Sequence, residues 1–83
     1  MKLSIIIPCY NELKTLEAII NAVRKLHYDN KEIILIDDFS NDGTRELIRK
    51  GIETKVDKVI YHNKNIGKGA AVRSGIKSRQ EIS

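Results

Sequence analysis

The fold is decided by residues 33–44, which read IILIDDFSNDGT. The apolar run at the start of this stretch is typical of a strand that is buried on both faces of a parallel sheet. Two carboxylates, Asp37 and Asp38, follow at once, and the polar, glycine-containing remainder predicts a turn. Because ligands bind at the carboxyl ends of strands in open α/β sheets, this stretch predicts a central strand and a binding site together.

A second apolar run, residues 3–7, ends in a comparable polar segment, PCYNE at residues 8–12. The carboxyl ends of neighbouring parallel strands lie at the same edge of a sheet. Both polar segments are therefore expected at one edge, where they favour a nucleotide pocket.

The hydrophobic period alternates between strand and helix along the whole chain. Apolar residues spaced three and four apart between residues 13 and 26 predict an amphipathic helix, which Asn11 would cap. The remaining predicted elements are a strand at 32–37, a helix from about 43 to Gly51, a strand at 59–61 and a helix at 69–77. The order β-α-β-α-β-α indicates an α/β fold with a Rossmann-like parallel sheet.

Length and composition exclude several classes of protein. With 83 residues, 41% hydrophobic and 31% charged, the chain is an ordinary small domain with a thin core. Its single cysteine, Cys9, cannot form an internal disulfide and is expected to be a small buried apolar residue in a reducing, cytoplasmic setting. No apolar run approaches the roughly 20 residues of a transmembrane helix, so any membrane contact is expected to be peripheral.

The positive charge is concentrated near the end of the chain. The net charge is +4, and residues 63–79 contain no acidic residue. The basic residues of this segment are Lys64, Lys68, Arg73, Lys77 and Arg79. They form either a solvated helix face or a field suited to phosphate. Nucleic acid is not expected as a partner, because no aromatic residue lies among them and no DNA-binding motif accompanies them.

Three segments carry a resemblance to a known family. They are SIIIPCYNE at 4–12, IDDFSNDGT at 36–44 and NIGKGAAVRSG at 65–75. In this order they resemble the first three motifs of the family 2 glycosyltransferases, and the polyprenyl (dolichyl) phosphate sugar transferases are the closest-looking branch. The resemblance implies that residues 1–83 are a single N-terminal half-domain of a truncated GT-A fold. Its partner would be a UDP- or GDP-linked sugar, for transfer to an acceptor such as polyprenyl phosphate.

The resemblance also implies roles for residues that would contact the nucleobase and the ribose. Pro8 and Tyr10 would form the wall of the base pocket, and Glu12 would reach the ribose or the base edge. Asp38 would accept hydrogen bonds from a base N–H or a ribose hydroxyl. Asp37 is included among the nucleotide-binding residues, although a structural role, orienting the turn or capping a helix, is the slightly better explanation for it.

Three further residues are implied at the diphosphate. Gly67 would let the backbone approach the ligand closely, while Lys68 and Arg73 would meet the phosphates near a helix N-terminus. The complete predicted nucleotide-binding set is Pro8, Tyr10, Glu12, Asp37, Asp38, Gly67, Lys68 and Arg73.

Some of these residues also have a purely structural explanation. Pro8 could simply end a strand, because proline has no N–H to donate to a sheet. Tyr10 could be ordinary packing at the sheet edge. His27 and His62 lack metal-ligand spacing, so surface or packing roles are expected for both.

No catalytic residue and no metal ligand is assigned in this chain. The full-length family enzymes are expected to use a divalent metal, Mg or Mn, held by an Asp-x-Asp motif that would lie beyond Ser83. We therefore expect no metal to be bound by this chain alone, and no sugar transfer by it.

Two other classes of function remain open. A non-catalytic nucleotide-binding or self-associating module is compatible with every residue named. A phosphoacceptor domain of the response-regulator type fits poorly, because its acidic pair is expected after the first strand, where this chain has Pro8 and Tyr10.

The family's strand order also predicts self-association. GT-A sheets begin in the order 3-2-1-4, so the loss of a fourth strand would leave residues 3–7 as an apolar edge. We expect a homodimer in which the first strands of two copies pair antiparallel. A position at the membrane surface is implied only by the closest-looking branch.

Overall fold

The computed structural model describes residues 3–26 and 30–78. Its strands are β1 (Leu3–Cys9), β2 (Lys31–Asp37) and β3 (Lys58–Tyr61), and its α-helices are α1 (Leu16–Arg24), α2 (Thr44–Lys50) and α3 (Lys68–Ser78). A short 3₁₀ helix, Ile52–Lys55, lies between α2 and β3. The predicted order β-α-β-α-β-α is confirmed.

The strands form one parallel sheet with β2 at its centre. The register pairs Cys9 of β1 with Asp37 of β2, and Asp37 in turn with Tyr61 of β3. The three carboxyl ends therefore stop level with one another. This common edge is where the functional side chains meet.

Side chains alternate across β2, and each face has its own core. The larger core contains Leu35 and is formed with residues of β1, α1, α2 and the 3₁₀ helix, namely Cys9, Leu16, Ile20, Ile48 and Ile52. The smaller core contains Ile34 and Ile36, which pack against Ala71 of α3. Because strand side chains alternate with a period of two, Asp37 points toward the side of α2 and Asp38 toward the side of α3.

Gly75 allows α3 to lie close against the sheet. It is buried, and a Cβ atom placed on it would stand 2.8 Å from Cδ1 of Ile36 and collide with Ile6 as well. Real Cβ atoms do not approach carbon so closely. The smaller core therefore depends on helix backbone packed directly against isoleucine.

Two sequence-based expectations near β1 are wrong. The strand does not end at Pro8 but continues to Cys9, and β1 tolerates proline because it is an edge strand among the described residues. Asn11 does not cap α1, which begins at Leu16. Instead, the Asn11 side chain accepts a hydrogen bond from the Asn41 N–H at 2.8 Å, at a backbone φ of 52°. Asn11 thus ties the loop after β1 to the loop after β2.

Within residues 3–26 and 30–78, no helix is long and apolar enough to cross a membrane. His27 and Arg79, which figured in the sequence-based expectations, lie outside the described residues.

Candidate nucleotide site

A cavity of about 150 Å³ opens at the carboxyl end of β1. It is lined by Pro8, Cys9, Tyr10, Glu12, Asp38, Lys68 and Ala71. Five of the eight predicted nucleotide-binding residues therefore meet at one place, although they come from three separate segments of the chain. The register of the sheet brings the first two segments together, and the start of α3 supplies the third.

The other three predicted residues do not line this cavity. Gly67 stands next to it and donates its N–H to Asp38 at 2.9 Å. Arg73 is exposed on α3, with its guanidinium turned toward Gly69. Asp37 is fully buried. Direct contact of these three residues with a nucleotide stays a prediction.

The Asp37 carboxylate is occupied by protein donors. It accepts hydrogen bonds from the Ser40 N–H at 3.1 Å and the Ser40 hydroxyl at 2.5 Å, and it forms an ion pair with Nε of Arg45. The Cys9 thiol lies 3.7 Å from the same carboxylate. These contacts hold the turn after β2 in place, in agreement with the structural explanation for Asp37.

Arg45 of α2 joins the ends of two strands. Besides its ion pair with Asp37, it donates through Nη2 to the carbonyl oxygen of His62, which directly follows β3. Its guanidinium carbon lies 5.2 Å from the centroid of the Phe39 ring and 5.4 Å from that of Tyr61. Planar guanidinium groups stack well on aromatic faces, so the two rings hold Arg45 in this position.

The Cys9 thiol is not a nucleophile in this setting. Burial, followed by the negative charge of Asp37, raises the pKa of Cys9 to about 12. Since the thiolate is the reactive form, the thiol is inert at neutral pH. Cys9 is buried, as expected from the sequence.

The Asp38 carboxylate borders the cavity and is held by a different set of donors. Its Oδ1 accepts from Nδ1 of His62 at 2.8 Å and from the Ile66 N–H at 3.1 Å, while Oδ2 accepts from the Gly67 N–H. Burial by itself raises the pKa of Asp38, but the hydrogen bonds from His62, Ile66 and Gly67 outweigh it and hold the pKa below its ordinary value. Asp38 therefore faces the cavity as an ionised acceptor.

Sequence reasoning missed the importance of His62. Its second ring nitrogen, Nε2, lies 2.9 Å from the hydroxyl oxygen of Ser74 on α3. His62 thus links the end of β2 to α3 through its side chain and to α2 through its carbonyl oxygen. Its position directly after β3, level with Asp38, is a signal that could have found it. Ser74 and Arg45 carry no comparable signal, because residue spacing does not show which helix faces which carboxylate.

A second, more open cavity of about 370 Å³ lies on the far side of Glu12. Its lining residues are Asn11, Glu12, Leu13, Lys14, Thr15 and Asp42. The acidic groups here are already engaged, since Asp42 accepts hydrogen bonds from the N–H groups of Leu13 and Thr44, and Glu12 accepts one from the Thr15 hydroxyl. In the part of the chain that the structure describes, no group of three or more His, Cys, Asp or Glu residues could hold a metal ion.

Comparison with known proteins relates the chain to sugar-transferring enzymes. The sequence profile of glycosyl transferase family 2 matches residues 4–80. Poly-beta-1,6-N-acetyl-D-glucosamine synthase of Staphylococcus aureus is 40% identical over 75 residues, which are 90% of this chain and 18% of that protein. The enzyme of the same name from Staphylococcus epidermidis is 37% identical over 75 residues, again 90% of this chain and 18% of that protein. The chain therefore spans less than a fifth of the length of these relatives.

Solved structures show the same fold. A fragment of S. aureus TarS in complex with UDP-GlcNAc superposes with a TM-score of 0.82 at 27% identity, covering 96% of this chain and 24% of that one. The mannosyltransferase PcManGT of Pyrobaculum calidifontis, solved with GDP-Man and Mn²⁺, has a TM-score of 0.82 at 24% identity, covering 94% and 24%. The profile match, over nearly the whole sequence, decides the assignment: the chain belongs to glycosyl transferase family 2.

Proposed function

We propose that the cavity at the carboxyl end of β1 binds the nucleotide of a nucleotide diphosphate sugar. The chain would then be the nucleotide-binding part of a glycosyltransferase. The observation that carries the proposal is the ionised Asp38 carboxylate in a cavity that Tyr10 and Lys68 also line. An acceptor, an aromatic wall and a cation are the groups that a base, its ribose and a diphosphate require.

The relatives support a uridine nucleotide in particular. TarS, at 27% identity, was solved with UDP-GlcNAc, and the synthases at 40% and 37% identity make a polymer of N-acetylglucosamine by name. The mannosyltransferase solved with GDP-Man is 24% identical, and its likeness is one of fold. We therefore propose a UDP-linked sugar as the donor.

The cavity residues divide the work along the nucleotide. Pro8 and Tyr10 would contact the faces of the base, and Glu12 the ribose or the base edge. Lys68 is the first residue of α3, so its charge adds to the positive end of the helix dipole, where a diphosphate would lie. Gly67 and Arg73 remain predicted contacts of the same phosphates.

A metal is not part of the proposal for these residues. Divalent metal is expected of the full-length family enzymes, and PcManGT was solved with Mn²⁺. Among the described residues of this chain no ligand cluster fits a divalent ion, so no step is assigned to one. The residues named here would bind and orient the nucleotide only.

Calorimetric titration tests the nucleotide site. We expect the chain to bind UDP more tightly than GDP, and we expect Asp38→Asn to weaken UDP binding by about tenfold, the size of one hydrogen bond to a charged group. Glu17→Gln, on the exposed side of α1, is the matched control and should bind as the unchanged chain does. A folded chain that binds neither nucleotide, or an Asp38→Asn variant with unchanged affinity, would contradict the proposal.

The acceptor and the activity of the isolated chain stay predictions. Polyprenyl phosphate as the acceptor depends only on the branch that the motifs resemble most. Nucleotide binding without sugar transfer would support the expected inactivity, and it would equally fit a non-catalytic binding module. Measurable transfer from UDP-sugar by the purified chain would rule out both.

Self-association through β1 is a second proposal, supported by the free edge of that strand. Among the described residues β1 pairs only with β2, and Leu3 at its start is exposed. Unpaired strand edges template pairing with another chain. We expect a dimer by light scattering at high concentration, weakened by Leu3→Lys, because a charge on an edge strand opposes pairing. A strictly monomeric chain would contradict the homodimer.

A further inference from the structure

The donors around Asp38 leave little room for a ligand. A carboxylate has about four acceptor positions, two on each oxygen. Both positions of Oδ1 are used, by His62 and by the Ile66 N–H, and one of Oδ2 is used by the Gly67 N–H. Within the described residues, one position on Oδ2 is left for a donor from the cavity.

Nucleobases differ in how many donors they would bring to such a carboxylate. Uracil presents a single ring N–H between two carbonyl oxygens. Guanine presents a ring N–H and an exocyclic amino group side by side, a pair that matches both oxygens of a carboxylate. With Oδ1 already full, guanine would leave one of these donors without an acceptor on Asp38. A buried unpaired donor is costly, whereas uracil loses nothing.

The ring of His62 is held in place by a second hydrogen-bond partner, the Ser74 hydroxyl. Since ionised Asp38 can only accept, Nδ1 of His62 carries a proton and donates it. In the neutral ring Nε2 is then an acceptor, and the Ser74 hydroxyl at 2.9 Å is placed to donate to it. Because Ser74 belongs to α3 and the His62 carbonyl oxygen is held by Arg45, both the ring and its backbone are anchored. His62 is therefore a fixed donor to Oδ1.

We propose that His62 is a positioning residue that determines base specificity: by occupying the position of Asp38 Oδ1 that the Ile66 N–H leaves, it reduces the free acceptor positions to one and so favours uracil over guanine. This inference rests on the proposed nucleotide site. In this inference His62 does not contact the ligand. It determines only how many acceptor positions the Asp38 carboxylate has free for the base. Ser74 supports it by holding the ring in the tautomer that donates to Asp38.

A matched pair of substitutions tests the inference. His62→Asn keeps an N–H donor where Nδ1 stands, whereas His62→Leu is of similar size and has no donor. We expect the ratio of the Kd for GDP to the Kd for UDP to fall about tenfold in His62→Leu, the effect of one freed position on a charged acceptor. In His62→Asn we expect the ratio to stay close to that of the unchanged chain. A ratio that His62→Leu leaves unaltered, or that both variants alter equally, would overturn the inference.

The tautomer gives a test that needs no nucleotide. The ¹⁵N chemical shifts of the His62 ring, measured in the free chain at a pH where the ring is neutral, should show the proton on Nδ1. Ser74→Ala should change the shift of Nε2 while leaving the fold intact. A proton on Nε2 would overturn the inference even if UDP binds. Conversely, the expected tautomer in a folded chain that binds no nucleotide would overturn the proposed function, and the specificity role with it.

Discussion

Asp37 and Asp38 are adjacent in the sequence and equally hidden from solvent, with 0% and 3% of their surfaces exposed, yet their surroundings differ. Asp37 is held chiefly by the side chains of Arg45 and Ser40, together with the Ser40 N–H. Asp38 is held by one histidine ring and by two backbone N–H groups of the loop before α3. The first carboxylate faces away from the cavity, and the second lines it.

The difference follows from the geometry of a strand. Successive side chains point to opposite faces, so one carboxylate is directed toward α2 and the next toward α3. On the α2 side, a long arginine closes over the carboxylate and bridges β2 to β3. On the α3 side, short backbone donors reach the carboxylate and leave the cavity open. Two identical residues are thereby given a structural and a cavity-facing position.

The largest effect is expected from Arg45→Leu. This change leaves Asp37 buried with its charge no longer paired, and breaking a buried ion pair costs about 3 kcal/mol or more. We expect the free energy of unfolding in urea to fall by about that amount. Arg49→Leu is the matched control, because Arg49 is exposed and stacks on Tyr61, at 4.9 Å. Equal losses in the two variants would show that the Asp37 side is not held by its ion pair.

Replacing each carboxylate by its amide should separate their roles. Asp37→Asn is expected to lower the free energy of unfolding by about 2 kcal/mol, since hydrogen bonds to a charged group are lost, while UDP affinity stays nearly unchanged. Asp38→Asn should show the reverse, with about tenfold weaker UDP binding and a smaller loss of stability. Calorimetry and urea unfolding on the same samples measure both. A weaker UDP affinity in Asp37→Asn alone would reverse the assignment.

Gly75→Ala tests the packing of α3, which holds the His62 ring through Ser74 and directly follows the loop that donates to Asp38. The added methyl would collide with Ile6 and Ile36, and overpacking outweighs the better helix propensity of alanine by about 1 kcal/mol. Gly69→Ala is the control in the same helix, since its nearest neighbour there is the Arg73 guanidinium at 3.7 Å. We expect Gly75→Ala to lower the midpoint of thermal unfolding and Gly69→Ala to raise it slightly. A stabilised Gly75→Ala would contradict the close approach.

The smallest effect is expected in acid. The pKa of Asp38 is lower in the folded chain than its unfolded value of about 3.9, so its contribution to stability is present above that pH and is lost as the pH falls through the folded value. The stability difference between the unchanged chain and Asp38→Asn should therefore shrink as the pH falls below about pH 4. Urea unfolding of both proteins at a series of pH values measures this difference. Asp42 is present in both proteins, so its own contribution cancels in the difference. A difference that does not change with pH would contradict the lowered pKa.

Much of the site could be predicted because it lies where strands end. Pro8, Tyr10, Glu12 and Asp38 follow apolar runs, and the parallel order of the strands suffices to bring them to one edge. Lys68 could be placed by the glycines on either side of it, which mark the start of a helix. The common edge could be predicted from periodicity and the rule that carboxyl ends share an edge, whereas the roles of these residues at a nucleotide came from the family resemblance.

The wrong or missing predictions concern contacts between distant segments. Asn11 has the residue type of a helix cap, but it binds the backbone of Asn41 instead, thirty residues away. His62 was expected to be a packing or surface residue, and the partners of its ring lie twelve and twenty-four residues away. Local spacing carries no information about such pairs.

The sequence alone therefore determined the order of strands and helices, the buried central strand and the edge at which ligands would be met. Each of these depends on local periodicity, which is written into consecutive residues. Only the tertiary structure decided which carboxylate is closed off by Arg45 and which is held by His62 and faces the cavity. The physical reason is that the packing of α2 and α3 on opposite faces of β2 selects the donors, and that packing is a property of the whole fold.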